Sequence, residues 1–439
     1  MNDYDSNKKP SAAKVIMSVI LAIAVCFVSF GAGYLTRSCS SGDYTELEWA
    51  LDVIKANYYD LDEDGNLKDF TVDDYLAIIS SELLDPYSGY MNEEQYKDFV
   101  SSGEGNAYGI GVRISSAEAD MLKIVSVSGN SPMEKACFTL GIDPVGKKII
   151  AVSDADGSNY KAASDYETFS KNLTGYEAHK EFKIYLEGVG QGITVSREAY
   201  IESYVSYYDS EKTYLFRSED YSGVPEGKEF DGGMSGISAD TAYIKFDEFN
   251  GDATSQMAGA LKYMQKRGKT KLILDMRNNG GGYLNILCDV ASYFINNDGK
   301  KESLVATAKY KNGKVEEYKT SANRYVPLEK LTVMANEGSA SATECLIGAL
   351  ITYGELSYDN FIVTSDGTPD TVNGNRTYGK GIMQKTFLSN HGSAIKLTSA
   401  YIYWPDKTTN IHKKGIFAPA ENSVTFADGL EKALEVSAR

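Results

Sequence analysis

The chain has 439 residues, with 42% hydrophobic and 24% charged residues; this is the balance of an ordinary globular protein with a filled core. Its formal net charge of −17 excludes a nucleic-acid binder, because phosphate recognition needs a basic face. Five cysteines, Cys26, Cys39, Cys137, Cys288 and Cys345, are scattered and odd in number, which excludes a disulfide framework or a paired metal knuckle. No metal and no cofactor is expected.

In chain order, residues 1–14 precede an uncharged stretch, "VIMSVILAIAVCFVSFGAGYL", Val15 to Leu35, long enough to cross a bilayer as a helix. Lys8, Lys9 and Lys14 lie before it, while Asp43, Glu46 and Glu48 follow. This asymmetry favours an inside N-terminus and an exported remainder. An uncleaved anchor spanning residues 15–35 is preferred to a cleaved signal peptide, since the apolar run exceeds a signal's usual core. The expected location is the cell membrane, single-pass, with the rest of the chain outside the cytoplasm.

Residues 44–101 read as a helical region, from the apolar spacing in "YTELEWALDVIKANYY" and "DDYLAIISSELL". The acidic turn between them, Asp60 to Thr71, places Asp60, Asp62, Asp64 and Gly65 as a calcium loop would. Thr71 stands where such a loop needs a bidentate glutamate, so a plain interhelical turn is the preferred reading. From "SSGEGNAYGIGVRI" onward, residues 102–197 read as a small barrel-like domain of short strands with the helices "SPMEKACF" and "DYETFSKNL". From about residue 240, apolar strands alternate with amphipathic helices to the C-terminus, the pattern of a sheet covered by helices.

Three stretches of this last region hold candidate chemistry. In "NEGSASATE", Ser341 and Glu344 fit a capping box. The same strand-to-helix turn would also place a serine before free backbone N–H groups suited to an oxyanion. His179, His391 and His412 lie in the earlier domain or in polar stretches and do not readily supply a base; a lysine can serve if burial keeps it neutral. Lys380 in "NRTYGKGIMQKTF" fills that role or is a surface lysine in a turn, and strand alternation sets Gln384 on its face. "LDMRNNGGGY" runs an apolar strand into three glycines, a place where backbone N–H groups can face a ligand; the rival reading, a phosphate loop, lacks a G-K-[ST] ending and an acidic ribose partner. Ser158 to Lys161 matches S-x-x-K but lacks the partner motifs and is set aside.

Taken in order, "LLDPYSGYMNEEQYKDF", "YGIGVRI", "LILDMRNNGGG", "NEGSASATE" and "TYGKGIMQ" resemble the C-terminal processing peptidases, or tail-specific proteases. The resemblance covers nearly the whole chain. It implies an α/β, crotonase-like protease core (198–439) with an inserted PDZ domain (102–197), behind a helical N-terminal region and a transmembrane helix. It further implies Ser341 as nucleophile, Lys380 as general base and Gln384 as the residue that positions the lysine. Ala342 and Gly281 are the implied oxyanion donors, and Tyr108, Gly109, Ile110, Gly111 and Val112 the peptide-binding segment. The implied substrates are proteins with exposed C-terminal tails. In this chain the stretch between Ser341 and Lys380 is longer than in the family, with the excess read as a loop in "SYDNFIVTSDGTPDTVNGN", and "GIDPVGKKI" replaces a tighter family turn. A rival reading follows: a PDZ-bearing scaffold relative whose Ser–Lys geometry the insert has spoiled.

Overall fold

The computed structural model describes residues 49–54, 56, 70–115, 121–218, 223–296, 301–321 and 323–439. The apolar stretch 15–35, both Cys26 and Cys39, and the acidic turn up to residue 69 lie outside them. Among the described residues no helix is long and apolar enough to cross a membrane, and no group of three or more acidic, histidine or cysteine side chains could hold a metal.

The chain divides into two units, Met1–Ile79 and Ser80–Arg439. In the first, residues 49–54 and 56 are helical, and a helix begins at Val72 and runs to Leu83. Thr71 opens that helix, accepting from the Asp74 N–H at 3.2 Å and donating its hydroxyl to the Asp74 carboxylate at 2.7 Å. That exchange is a reciprocal N-terminal cap.

The second unit is built on an eight-stranded sheet. Strands Glu226–Asp231, Lys212–Arg217 and Val205–Tyr208 form an antiparallel meander along one side. Thr241–Phe246 pairs with the meander and begins a parallel series through Lys271–Asp275, Lys330–Asn336, Phe361–Ser365 and Ser423–Thr425. Helices Ala253–Lys266, Leu284–Phe294 and Ala342–Tyr353 make the crossovers. Parallel strands are covered on both faces, so their sequences are apolar throughout and not alternating. Strand geometry then deals successive residues to opposite faces. Leu272, Leu274, Val333, Ala335, Phe361 and Val363 face the three crossover helices. Ile273, Met334 and Ile362 meet the C-terminal helix Gly429–Ala438 through Ala433 and Val436.

Residues 106–195 hold a core of their own, in which Ile110, Leu122, Ile124, Met133, Phe169, Phe182, Ile184 and Ile193 are buried together. The strands read in "LKIVSV", "KKIIAVS" and "EFKIYLEG" appear as Ile124–Val127, Ile149–Asp154 and Phe182–Leu186, with helices Pro132–Leu140 and Tyr166–Thr174 between.

Two expectations need correction. Residues 44–101 are not helical throughout, because the helix Val72–Leu83 ends ahead of Pro86 and Gly89–Met91 is a strand paired with Ala394–Tyr403. The stretch after the Ser341 helix is not one loop either. Its apolar "FIVTS" is a buried strand of the main sheet, and residues 366–375 form the loop that follows it. That loop is pinned by Asn375, whose side chain donates to the Val363 and Val424 carbonyls at 2.8 and 3.0 Å.

Candidate active site

Lys271–Asp275 and Lys330–Asn336 are parallel neighbours with Asp275 opposite Met334, so the turns leaving their C-terminal ends lie side by side. This is where open α/β sheets place ligands. One turn carries "RNNGGG" and the other "NEGSAS". The first is set by Asp275, buried beneath the sheet end and paired with the Arg277 guanidinium at 2.7 Å. Asn336 then ties the two turns together, accepting from the Asn278 N–H at 2.8 Å and donating to the Asn278 side chain at 2.7 Å.

The two serines of "GSAS" have different environments. Ser339 is fully buried, donates its hydroxyl to the Met276 carbonyl at 2.8 Å and accepts from the Asn336 N–H at 2.9 Å. It holds one turn against the other. Ser341 sits at the start of helix Ala342–Tyr353 with φ of 59° and ψ of −116°. That conformation costs a non-glycine residue about 1–3 kcal/mol, and a sharp strand-to-helix turn of this kind holds a side chain out from the sheet end. The N–H of Ala342, at the first helical position, makes no hydrogen bond to the described residues and points where the helix dipole favours negative charge.

Gly281 lies against this turn. A Cβ on it would come within 2.8 Å of the Ala340 carbonyl oxygen and of the Ser341 Cβ, at a φ of +102°. Glycine is therefore required twice, by space and by conformation. As an oxyanion donor, however, Gly281 is corrected. Its N–H donates to the Asn279 side-chain oxygen at 3.0 Å, because an asparagine two residues earlier curls back onto the chain. The Gly280 N–H in the same turn makes no such bond.

Glu344 organises the other half of the site. It is fully buried, and its carboxylate accepts from the Ser341 N–H at 3.0 Å, the Thr377 hydroxyl at 2.6 Å, the Gly379 N–H at 2.7 Å and the Lys380 N–H at 2.8 Å. Burial raises its pKa above the ordinary glutamate range, and these donated bonds pull it back. One carboxylate thus fixes the backbone of Ser341 relative to that of Lys380. Tyr378 adds a further tie, donating its N–H to the Ser339 carbonyl at 3.0 Å.

The Lys380 amine is partly buried, and no hydrogen bond joins it to Ser341. It lies instead over the Tyr87 ring, 4.7 Å from the centroid. Burial lowers its pKa below the usual lysine range, Lys396 pushes the same way, and Asp85 and Glu344 oppose. Gln384 lies on the strand that follows, Ile382–Leu388, and donates to the Thr398 hydroxyl at 3.0 Å rather than to the lysine. His412 backs this stretch: a Cβ on Gly381 would meet its backbone N at 2.6 Å.

In the separate core of residues 106–195, Tyr108 and Gly109 end strand Asn106–Gly109, and Val112 begins Val112–Ile114. Gly109 and Gly111 take φ of +136° and +79°, and the Ile110 side chain is buried. The N–H groups of Ile110 and Gly111 make no hydrogen bonds to the described residues, so this turn presents two free donors.

The spacing in the sequence finds Ser341, Lys380 and the glycine turn, and gives Glu344 only as a helix cap. Tyr87 and Asn279 go unmarked. "RNNGGG" carries an asparagine at the right offset for a turn, but Tyr87 is separated from Lys380 by most of the chain and leaves no local signal.

Comparison with known proteins finds similarity over most of the chain. Residues 240–357 and 363–419 match the model of peptidase family S41. A "Probable CtpA-like serine protease" of Staphylococcus saprophyticus is 25% identical over 406 residues, covering 92% of this chain and 70% of the relative. One from Staphylococcus aureus strain COL is 26% identical over 402 residues, covering 92% and 69%. Among solved structures, the photosystem II D1 C-terminal processing protease is 19% identical with a TM-score of 0.46, covering 84% of this chain and 85% of that one. By these likenesses the chain is similar to serine proteases of peptidase family S41.

Proposed function

We propose that the chain is a membrane-anchored, extracytoplasmic Ser–Lys endopeptidase that processes or degrades proteins from their C-terminal tails. The observation that carries this reading is the strained Ser341 turn, tied through Glu344 to the backbone of Lys380 and set against a glycine turn. Ser341 is the nucleophile and Lys380 the base. The amine takes the hydroxyl proton as oxygen attacks the peptide carbonyl, and later returns it to the leaving amine. The Ala342 N–H, together with a donor of the glycine turn, receives the developing oxyanion. Gln384 acts on the lysine through Thr398.

The residue 102–197 region is read as a PDZ domain inserted in a crotonase-like core. Its turn at Tyr108, Gly109, Ile110, Gly111 and Val112 offers backbone N–H groups to a substrate's terminal carboxylate, and the following strand offers an edge for main-chain pairing. The uncharged stretch 15–35, with lysines before it and acids after it, supports a single-pass anchor with the protease outside.

Degradation of a loosely folded protein by the wild type, and none by Ser341→Ala, is the expected result. Equal loss of substrate with both proteins defeats the protease reading, and no loss with either leaves the PDZ-bearing scaffold. Amidating the substrate's C-terminus is expected to slow its degradation while sparing short peptides. Equal rates for free-acid and amidated tails defeat the tail-recognition part alone.

A further inference from the structure

The segment Asp85–Ser88 is distant in sequence from the serine and lysine motifs, yet it supplies the surface on which the Lys380 amine rests. The Tyr87 ring lies under the amine at 4.7 Å. The Tyr87 hydroxyl is 2.9 Å from that of Tyr378, two residues before the lysine, and the two rings meet edge to face. The loop bearing Tyr87 is pinned from within, since Asp85 accepts from the Tyr87 N–H at 2.9 Å and the Ser88 hydroxyl at 3.1 Å. It is pinned from outside by the Thr398 N–H, which donates to the Ser88 hydroxyl at 2.9 Å. Thr398 is also the residue that receives the Gln384 amide. Ring, hydroxyl pair and loop converge on one side chain.

We infer that Tyr87 is a positioning residue for Lys380: its ring covers the amine against water and, through Tyr378, holds it beside the Ser341 turn. An aromatic face suits this task because it tolerates the amine in both protonation states. It attracts the ammonium through its quadrupole and presents no acceptor that would lock the proton in place. A carboxylate in the same position would hold the lysine charged. The phenol remains neutral throughout the working range, since burial, the Tyr378 hydroxyl and the nearby Asp85 and Glu344 push its pKa up to about 12. The charged groups around the amine are Asp85, Glu344 and Lys396. His412 and Lys413 flank its backbone, with the Lys413 N–H donating to the Gly379 carbonyl at 2.7 Å. Of the contributions to the lowered lysine pKa, burial is the largest, and the Tyr87 ring is part of the cover over the amine.

This inference rests on the reading of Lys380 as the base, so its test has one arm that does not use catalysis. The first arm is the pH profile of kcat on a short peptide for wild type, Tyr87→Phe, Tyr87→Ala and Tyr87→Gln. Tyr87→Phe keeps the ring and is expected to keep the profile. Tyr87→Ala and Tyr87→Gln are expected to move the activating limb up by about one pH unit, with kcat at neutral pH falling about 10-fold and KM little changed. The second arm reads acetylation of Lys380 by acetic anhydride against pH, by peptide mass spectrometry, in Ser341→Ala proteins with and without the Tyr87 substitutions. The midpoint for labelling is expected to rise by the same unit. A limb and a labelling midpoint that stay put in folded Tyr87→Ala or Tyr87→Gln overturn the inference while leaving the Ser–Lys reading intact. A labelling midpoint that moves while Lys380→Ala retains full turnover upholds the cover and overturns the base. Should Tyr87→Ala fail to fold, Tyr87→Gln decides the matter alone.

Discussion

The Ser341 turn and the Lys380 segment are held in different ways. Ser341 is placed by its own neighbourhood: a strand end, a positive φ and the first turn of a helix, all within about ten residues. Lys380 precedes its strand, between Gly379 and Gly381, and its backbone is fixed by Glu344 and its amine by Tyr87. Local backbone geometry therefore determines one half of the site, and long-range side-chain contacts determine the other. Substitutions separate the two kinds of placement.

Ser341→Ala should have the largest effect. The alanine keeps the turn but removes the oxygen, so kcat is expected to fall by at least ~10^4-fold with folding intact. Ser339→Ala is its control. It removes a buried hydroxyl that bridges the two turns, which costs stability on the order of 1–3 kcal/mol while leaving turnover measurable. Activity lost in Ser339→Ala and retained in Ser341→Ala would exchange the two roles.

Lys380→Arg comes next. Guanidinium stays protonated at any working pH, so a loss of roughly 10^2–10^4-fold is expected, the range for removing a general base. In the wild type the neutral amine is the active form and its pKa is lowered. Activity should therefore rise with pH along a limb lying below lysine's unperturbed value of about 10.4. A limb at or above that value, or full turnover in Lys380→Arg, removes the lysine from the mechanism.

Glu344→Ala tests the joint between the two halves. It leaves the N–H groups of Ser341, Gly379 and Lys380 without their acceptor, and each buried orphan donor costs about 1–3 kcal/mol. A drop in thermal stability together with a roughly 10- to 100-fold loss in kcat is expected, measured by thermal melts and by peptide turnover. A stable, fully active Glu344→Ala would show that serine and lysine are aligned without it.

The same contrast explains what the sequence discloses. The parallel strands are legible where burial on both faces makes the middle of "KLILD" and "LTVMA" apolar; "FIVTS" belongs to the same series but is masked by the polar residues on either side of it. The serine turn and the glycine turn are legible because small residues and glycines answer local demands of space and φ. The occupation of the Gly281 N–H by Asn279 is legible only as an asparagine at the offset of such a turn, since the bond itself depends on a rotamer. Tyr87 is not legible, because a tyrosine in "DPYSGY" has no local reason to be there. Its contact with Lys380 arises only when Gly89–Met91 joins the edge of the sheet strand Ala394–Tyr403 and carries Asp85–Ser88 over the lysine.

Gln384 tests the comparison most finely, because the sequence sets it beside the lysine while the structure gives it another partner. Its amide donates to the Thr398 hydroxyl at 3.0 Å, and the Thr398 N–H donates to Ser88 in the loop that bears Tyr87. An effect passing through Thr398 involves one hydrogen bond between neutral groups, worth about 0.5–1.5 kcal/mol. Gln384→Ala should then lower kcat by roughly 3- to 10-fold, and Thr398→Val should reproduce the loss. The double variant should be no worse than either single one, because both substitutions break the same connection. If Gln384→Ala instead falls as far as Lys380→Arg while Thr398→Val is unaffected, Gln384 touches the lysine directly in the working enzyme. The base half of the site would then be as locally determined as the serine half.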